Sequence, residues 1–226
     1  MPRVCVFDVN ETLLDLSALD SHFERVFGDR AVRKAWFQQL LQSAMVTIIT
    51  NRYIDFGTIG RTALDMTAER RGIRLSDEDR ARILNGIREL PPHPDVRDSL
   101  ERLRAAGLRL AALTNNPTQT VQAQMDHAGL RDYFEQILSA DEVRRLKPAA
   151  EAYRYAAERL GVDISQIRLI AAHAWDVAGA QQAGCAAAFV ARSDQVLDPL
   201  FERPDIVGRD LHEVTAQIIL QEARSR

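Results

Sequence analysis

Asp8, Lys147 and Asp176, with the hydroxyl of Thr12 and the polar run Thr114-Asn115-Asn116, are the residues whose types and spacing suit chemistry. Asp8 ends a short apolar run, Val4-Cys5-Val6-Phe7, of the kind that forms a fully buried strand. In open α/β sheets chemistry takes place beyond the carboxyl ends of the strands, where an acid is placed to act as a nucleophile. An isolated Asp after a strand serves equally as a turn former or a helix cap. Here, later strands end in matching groups. Leu110-Ala111-Ala112-Leu113 runs into Thr114-Asn115-Asn116, before the Pro117 that opens a helix whose first N–H groups suit an anion. Lys147-Pro148 precedes the helix that carries Tyr153, and Leu169-Ile170-Ala171-Ala172 ends in His173-Ala174-Trp175-Asp176. Each feature alone reads as a cap, a surface lysine or a satisfied polar residue. Together, two carboxylates, a lysine and a hydroxyl at strand ends make a nucleophile with support.

The elements that must position these groups follow from the hydrophobic pattern. Trp36, Leu40, Ala44 and Ile48 form one helical row, and Phe37, Leu41, Met45 and Ile49 its neighbour, with Gln38, Gln39 and Gln42 largely off the stripe. Residues 58–71 and 76–87 read as further helices, and nothing between Asp15 and Leu90 alternates strand with helix. Pro91-Pro92-His93-Pro94 is a stiff extended hinge, His93 being read as part of that hinge. Beyond it helices are expected at 95–106, 117–128, 149–160, 177–183 and 211–220. Strands are expected at 108–113, 134–138, 168–172, 187–191 and 205–207. That alternation implies an α/β fold, a doubly wound parallel sheet with right-handed crossovers. The expected organisation is a core of 1–14 and 92–226 with a helical cap domain, 15–91, inserted after the first strand.

With 226 residues, 46% hydrophobic and 27% charged, the chain is long enough to bury a core without staples. A net charge of −3, with no basic block, argues against a nucleic-acid partner. No apolar run reaches membrane-spanning length and no signal-peptide pattern opens the chain, so a cytoplasmic location is expected. Cys5 and Cys185 sit in apolar contexts and read as buried thiols of a reducing compartment. There is no Cys/His metal cluster. The apolar residues of the cap leave core packing and a homodimer interface as alternatives.

The ordered set Asp8-x-Asn10-x-Thr12, Thr114-Asn115-Asn116, Lys147-Pro148 and Ala174-Trp175-Asp176 resembles the haloacid dehalogenase superfamily. Lys-Pro with a Tyr six residues after the Lys, and the Ala-Trp-Asp tripeptide, resemble its type II (S)-2-haloacid dehalogenases. The likeness extends to Asn51-Arg52-Tyr53 in the cap and to 127–132. It implies a Rossmannoid core and a halogenated small carboxylic acid as substrate, with neither cofactor nor metal. In the implied reaction Asp8 displaces halide and becomes an ester, and water activated near Asp176 cleaves that ester to a 2-hydroxy acid of inverted configuration. By the same likeness Lys147 keeps Asp8 ionised, Thr12 bonds its carboxylate and Tyr153 orients Lys147 or Asp176. Val9, Asn10, Thr114 and Asn115 would bind substrate, the last two receiving its carboxylate and the halide. Phe37, His173 and Trp175 complete the implied substrate wall.

Two positions depart from that pattern. Phe37 stands where the cap helix usually carries an Arg that helps abstract halide, and His173 where an Asn is usual. They leave a narrow enzyme for 2-chloro and 2-bromo acids, or a variant tuned to haloacetates, fluoroacetate among them. A magnesium-dependent phosphatase is the rival within the superfamily. Asn10 cannot act as its general acid, and Ala171, Ala172 and His173 lack its extra metal ligand. A non-catalytic binder is the second rival, opposed by the cost of burying Asp8, Lys147 and Asp176 without a use.

Overall fold

A computed structural model describes residues 4–224. Six strands form one wholly parallel sheet in the order β3-β2-β1-β4-β5-β6. β1 (Val4–Phe7) lies at its centre, between β2 (Leu110–Thr114) and β4 (Ile167–Ala171). β3 (Gln136–Ser139) flanks β2, while β5 (Ala186–Val190) and β6 (Ile206–Gly208) extend the other side. β1, β2 and β4 are buried at every position, because both faces of a parallel sheet are covered. Alternate residues feed two cores. Val4 and Val6 pack with α7 (Ala150–Leu160) and α8 (Ala174–Ala183), whereas Cys5 and Phe7 face α5 (Val96–Ala105), α6 (Thr118–His127) and α9 (Leu211–Arg224). The strand order reverses about β1, which opens the crevice at the ends of β1 and β4.

Four helices intervene between β1 and α5: α1 (Asp20–Phe27), α2 (Val32–Ile49), α3 (Phe56–Arg70) and α4 (Asp77–Gly86). The chain leaves and re-enters the sheet region side by side, with Leu14 bridged to Pro92 and Asp15 N–H donating to Pro91 at 2.8 Å. His93 belongs to this crossing, its amide donating to the Leu13 carbonyl. α2 and α3 approach closely enough for the Trp36 indole to donate to the Gly60 carbonyl at 2.9 Å.

The stripe on α2 differs from expectation at two places. Gln39 is buried, its amide N–H donating to Ser43, and Ile49 at the last position of α2 is 82% exposed. α8 begins at Ala174 rather than at Val177, so Trp175 and Asp176 lie in its first turn. Among the described residues no helix is long and apolar enough to cross a membrane.

Candidate active site

The loop after β1 turns sharply so that Asp8 and Thr12 face the same point. Asp8 N–H donates to the Ile170 carbonyl of β4 at 3.0 Å, which continues the sheet by one residue and aims the carboxylate over its edge. Thr12 Oγ1 accepts from Ala172 N–H at 2.9 Å and donates to Asp8 Oδ2 at 2.7 Å. Its hydroxyl proton is thereby directed at the acid.

Lys147 arrives from the other side, ahead of α7, and is 1% exposed. Its Nζ donates to Asp8 Oδ1 at 2.8 Å, Asp176 Oδ2 at 2.6 Å and the Leu113 carbonyl at 2.9 Å. An ammonium has three protons, and all three are used. Asn115 clamps the lysine's backbone: Oδ1 accepts from Lys147 N–H at 2.7 Å, and Nδ2 donates to its carbonyl at 3.1 Å. Its side-chain amide therefore positions Lys147. Tyr153 OH donates to Asp176 Oδ1 at 2.6 Å, so Tyr153 attends to Asp176 and not to the lysine. A Cβ on Gly179 would stand 2.8 Å from that hydroxyl and nearer still to Pro148, so only glycine lets α8 pack here.

The charges sort by their partners. Burial would push Asp8 up, but the Lys147 ammonium and His173 outweigh it and hold Asp8 well below the usual carboxylate range. Asp176, fully buried and sharing one lysine with a second carboxylate, is pushed up. Burial opposes the charge on Lys147, yet the two flanking carboxylates raise it above its ordinary value. Tyr153 is raised far enough by burial and Asp176 to remain a neutral donor.

His173 joins this set at the N-cap of α8. Its Nδ1 lies 3.4 Å from Asp8 Oδ2 and its Nε2 2.9 Å from Glu11 Oε2. Burial would depress it, but the carboxylates of Asp8 and Glu11 raise it to about 9. The ring stacks on Trp175 with centroids 5.3 Å apart and lies 5.9 Å from Phe37.

Asp8, Asn10, Phe37, Thr114, Asn115, Lys147, His173 and Trp175 all line one small cavity of about 20 Å³, which Leu41 and Phe56 complete. That is room for about one water. Of the expected substrate-binding residues Val9 does not line it, its side chain being packed in the core, and Thr12, Tyr153 and Asp176 stand behind the lining. Asn10 Oδ1 accepts from Gln124 Nε2 at 3.1 Å and Asn116 Nδ2 at 3.3 Å.

Three contributors escaped sequence reasoning. Glu11 adopts φ +62°, a left-handed backbone rarely taken by a residue with a side chain. Arg33 on α2 reaches Glu11 at 3.5 Å and Asp20 at 2.5 Å. Arg192, just past β5, donates to the Thr12 carbonyl at 2.9 Å and to Asp95 at 2.6 Å, pinning the nucleophile loop. Arg192 carried a usable signal, a polar residue beyond a strand end. Arg33 lies four residues before Phe37, hence on the same helical face, where a displaced cation could have been sought.

A strand-end carboxylate with lysine and hydroxyl support, under an inserted set of helices, is the arrangement of a hydrolase. The chain matches the haloacid dehalogenase-like hydrolase family over residues 2–184 and belongs to it. It is 32% identical over 201 residues to an (S)-2-haloacid dehalogenase of Pseudomonas sp. (strain YL), covering 88% of this chain and 87% of that protein. It is 30% identical to (S)-2-haloacid dehalogenase 2 of Pseudomonas sp. (strain CBS-3), covering 94% and 93%. The structure of L-2-haloacid dehalogenase from Xanthobacter autotrophicus with chloropropionic acid covalently bound superposes with a TM-score of 0.90. It is 27% identical, over 96% of this chain and 98% of that one.

Proposed function

We propose that this chain hydrolyses short (S)-2-haloacids or haloacetates to 2-hydroxy acids and halide, without a metal, through an ester on Asp8. The observation that carries the reading is the ionised Asp8 carboxylate facing a small, aromatic-walled cavity. Lys147 and Thr12 orient its two oxygens, one bond each. A carboxylate so fixed and stripped of water is primed for in-line displacement at a carbon bearing a leaving group. Thr114 lines the cavity wall beside Asn115, on the side where the substrate carboxylate would lie. Trp175, Phe37 and Phe56 exclude bulk water. The segment 15–91 acts as the cap that supplies Phe37 and Phe56 to this wall, on a core of 1–14 and 92–226.

The phosphatase reading loses further ground in the amide network around Asn10. Position 10 would have to donate a proton to a leaving alcohol, yet its Oδ1 is occupied by two amide donors. The buried, unpaired thiols of Cys5 and Cys185 accord with a cytoplasmic setting. Exposed Val46 and Ile49 at the end of α2 are the residues through which a homodimer would form.

The test is halide release from separate (S)- and (R)-2-chloropropionate in the presence of a chelator. Release from the (S) form alone, with (R)-lactate as product, is expected. Silence on both, with phosphate released from a phosphoester once Mg²⁺ is added, would replace this reading by the phosphatase.

A further inference from the structure

We propose that His173 and Glu11 form an acid–base pair. His173 gives a proton to the group leaving the substrate, then takes one from the water that cleaves the Asp8 ester. This rests on the ester mechanism proposed above and assigns its proton transfers.

The geometry divides the two nitrogens of the ring. Nε2 is anchored on the Glu11 carboxylate at 2.9 Å, while Nδ1 is buried, has no hydrogen-bond partner and lies 3.4 Å from Asp8 Oδ2. One nitrogen is held and the other is aimed at the reacting carboxylate, across the cavity where the leaving atom must sit. Trp175 Nε1 is also buried without a partner, but an indole N–H does not exchange its proton as an acid–base group. Lys147 has spent its three protons, and Asp176 has both oxygens taken, by Lys147 and Tyr153. Arg33 is engaged by Glu11 and Asp20, and position 37 is an aromatic ring.

Glu11 is built into the arrangement. Its left-handed backbone is braced by His93 Nε2 on its carbonyl, and its carboxylate receives Arg33, Gln195 and His173. Unsupported strain of this kind does not persist, and it clusters where it serves a site. The Glu11 side chain is 19% exposed against 5% for His173, and it lines an open cleft of about 730 Å³. His173 lines both that cleft and the cavity over Asp8, so the pair can exchange protons with solvent.

With a fluoro acid, an Asp8 oxygen first forms a bond to the substrate carbon, the carbon–fluorine bond breaks with its pair on fluorine, and the Nδ1 proton passes to that fluoride. Water then adds to the Asp8 acyl carbon and the acyl–oxygen bond breaks. One proton of that water goes to Nδ1 and the other ends on the product hydroxyl. The sum is fluoro acid plus water to hydroxy acid plus hydrogen fluoride, with the ring returned to its charged form. Chloride, bromide and iodide are too weakly basic to take a proton, so with them the ring stays charged throughout and the proton from water passes to solvent. Fluoride is the most basic halide, so the pair suits a short 2-fluoro acid.

The charged groups around His173 are Asp8 and Glu11 from the β1 loop, Lys147 before α7, Asp176 in α8, Arg33 and Lys34 from α2, and Arg192 and Asp194 after β5. The nearest two are carboxylates, and they keep the ring charged to about pH 9.

The experiment compares the full-length wild type with His173→Asn and Glu11→Gln on fluoroacetate and bromoacetate. Ester on Asp8 is followed by intact mass. In His173→Asn the fluoride-to-bromide ratio of kcat/KM should fall by about 100-fold or more, the scale of acid–base catalysis, and ester should accumulate. The wild-type rate should decline above about pH 9. That limb should vanish in His173→Asn and move to lower pH in Glu11→Gln, which retains the fold and the contact. Equal losses on both substrates without ester, or an unmoved pH limb in Glu11→Gln, would overturn the pair while leaving the dehalogenase reading intact. Absence of halide release from any haloacid by the wild type would overturn both.

Discussion

The two sides of Asp8 are built on opposite plans. On one side Lys147, Asp176 and Tyr153 are buried, and every bond of the lysine and the acid is satisfied. On the other, His173 keeps an unpartnered nitrogen, and its support, Glu11, touches a solvent-filled cleft and a helix that belongs to no strand crossover. A fully satisfied buried network is rigid and holds geometry. A buried donor without an acceptor is costly unless a ligand or an intermediate supplies one. The lysine side holds the nucleophile, and the histidine side has capacity left for a reacting atom. Along the whole site the charges alternate in sign: Asp176, Lys147, Asp8, His173, Glu11, Arg33, Asp20. The last two lie on the inserted helices, so seating α2 completes the histidine side, while the lysine side is carried by α7, α8 and the segment before α7.

This contrast can be broken at either side or at the nucleophile between them. The largest expected effect is Asp8→Asn, which should cut halide release by roughly 10⁴-fold or more and abolish the covalent ester seen by mass. Retained activity would move the nucleophile elsewhere. Next is Lys147→Met, which strands two carboxylates in the core. It should destabilise the fold by about 3–5 kcal/mol in denaturant titrations as well as abolish turnover, the mark of a holding residue.

His173→Asn should behave differently, because its effect on stability depends on pH. The ring's pKa in the folded chain, about 9, exceeds its ordinary 6.5. Its contribution is therefore fully present below about pH 6.5 and is lost as pH rises through 9, on the order of 3 kcal/mol across that window. Denaturation midpoints of wild type and variant should converge between those limits. A gap that stays constant would mean the ring is not charged in the folded state. The smallest effect is Phe37→Arg. A guanidinium there would supply a fixed cation beside the cavity, raising chloride release up to about 10-fold. It should also pull the alkaline limb downward, since like charge disfavours the imidazolium. No change in either readout would show that the cavity does not use a cation at this position.

Much of this was legible in one dimension. The sheet could be read because strands buried on both faces are written as apolar runs, such as 4–7 and 110–113, each ended by the polar group that matters. Asp8, Thr12, Tyr153 and Asp176 could be named because each sits just past a strand or in the first turns of a helix, and Lys147 because it precedes the proline ahead of α7. Asn115 illustrates the limit. Its residue type and strand-end position suit a substrate amide, and only the path of the chain at 147 makes it a backbone clamp. Nothing in the type of Glu11 announces a positive φ. Arg33 has the type of any polar residue on a helix surface.

The sequence by itself determined the parallel α/β core, the helical insertion and the order in which the acid, hydroxyl, lysine and second acid meet. These follow from local periodicity and from the rule that successive strand ends share one edge. Tertiary structure decided which of these groups are spent and which are free. That depends on distances between segments far apart in the chain, such as Glu11 and His173, or Lys147 and Asp8. A hydrogen bond has a direction and a single recipient for each proton, and no residue type or spacing records which neighbour receives it.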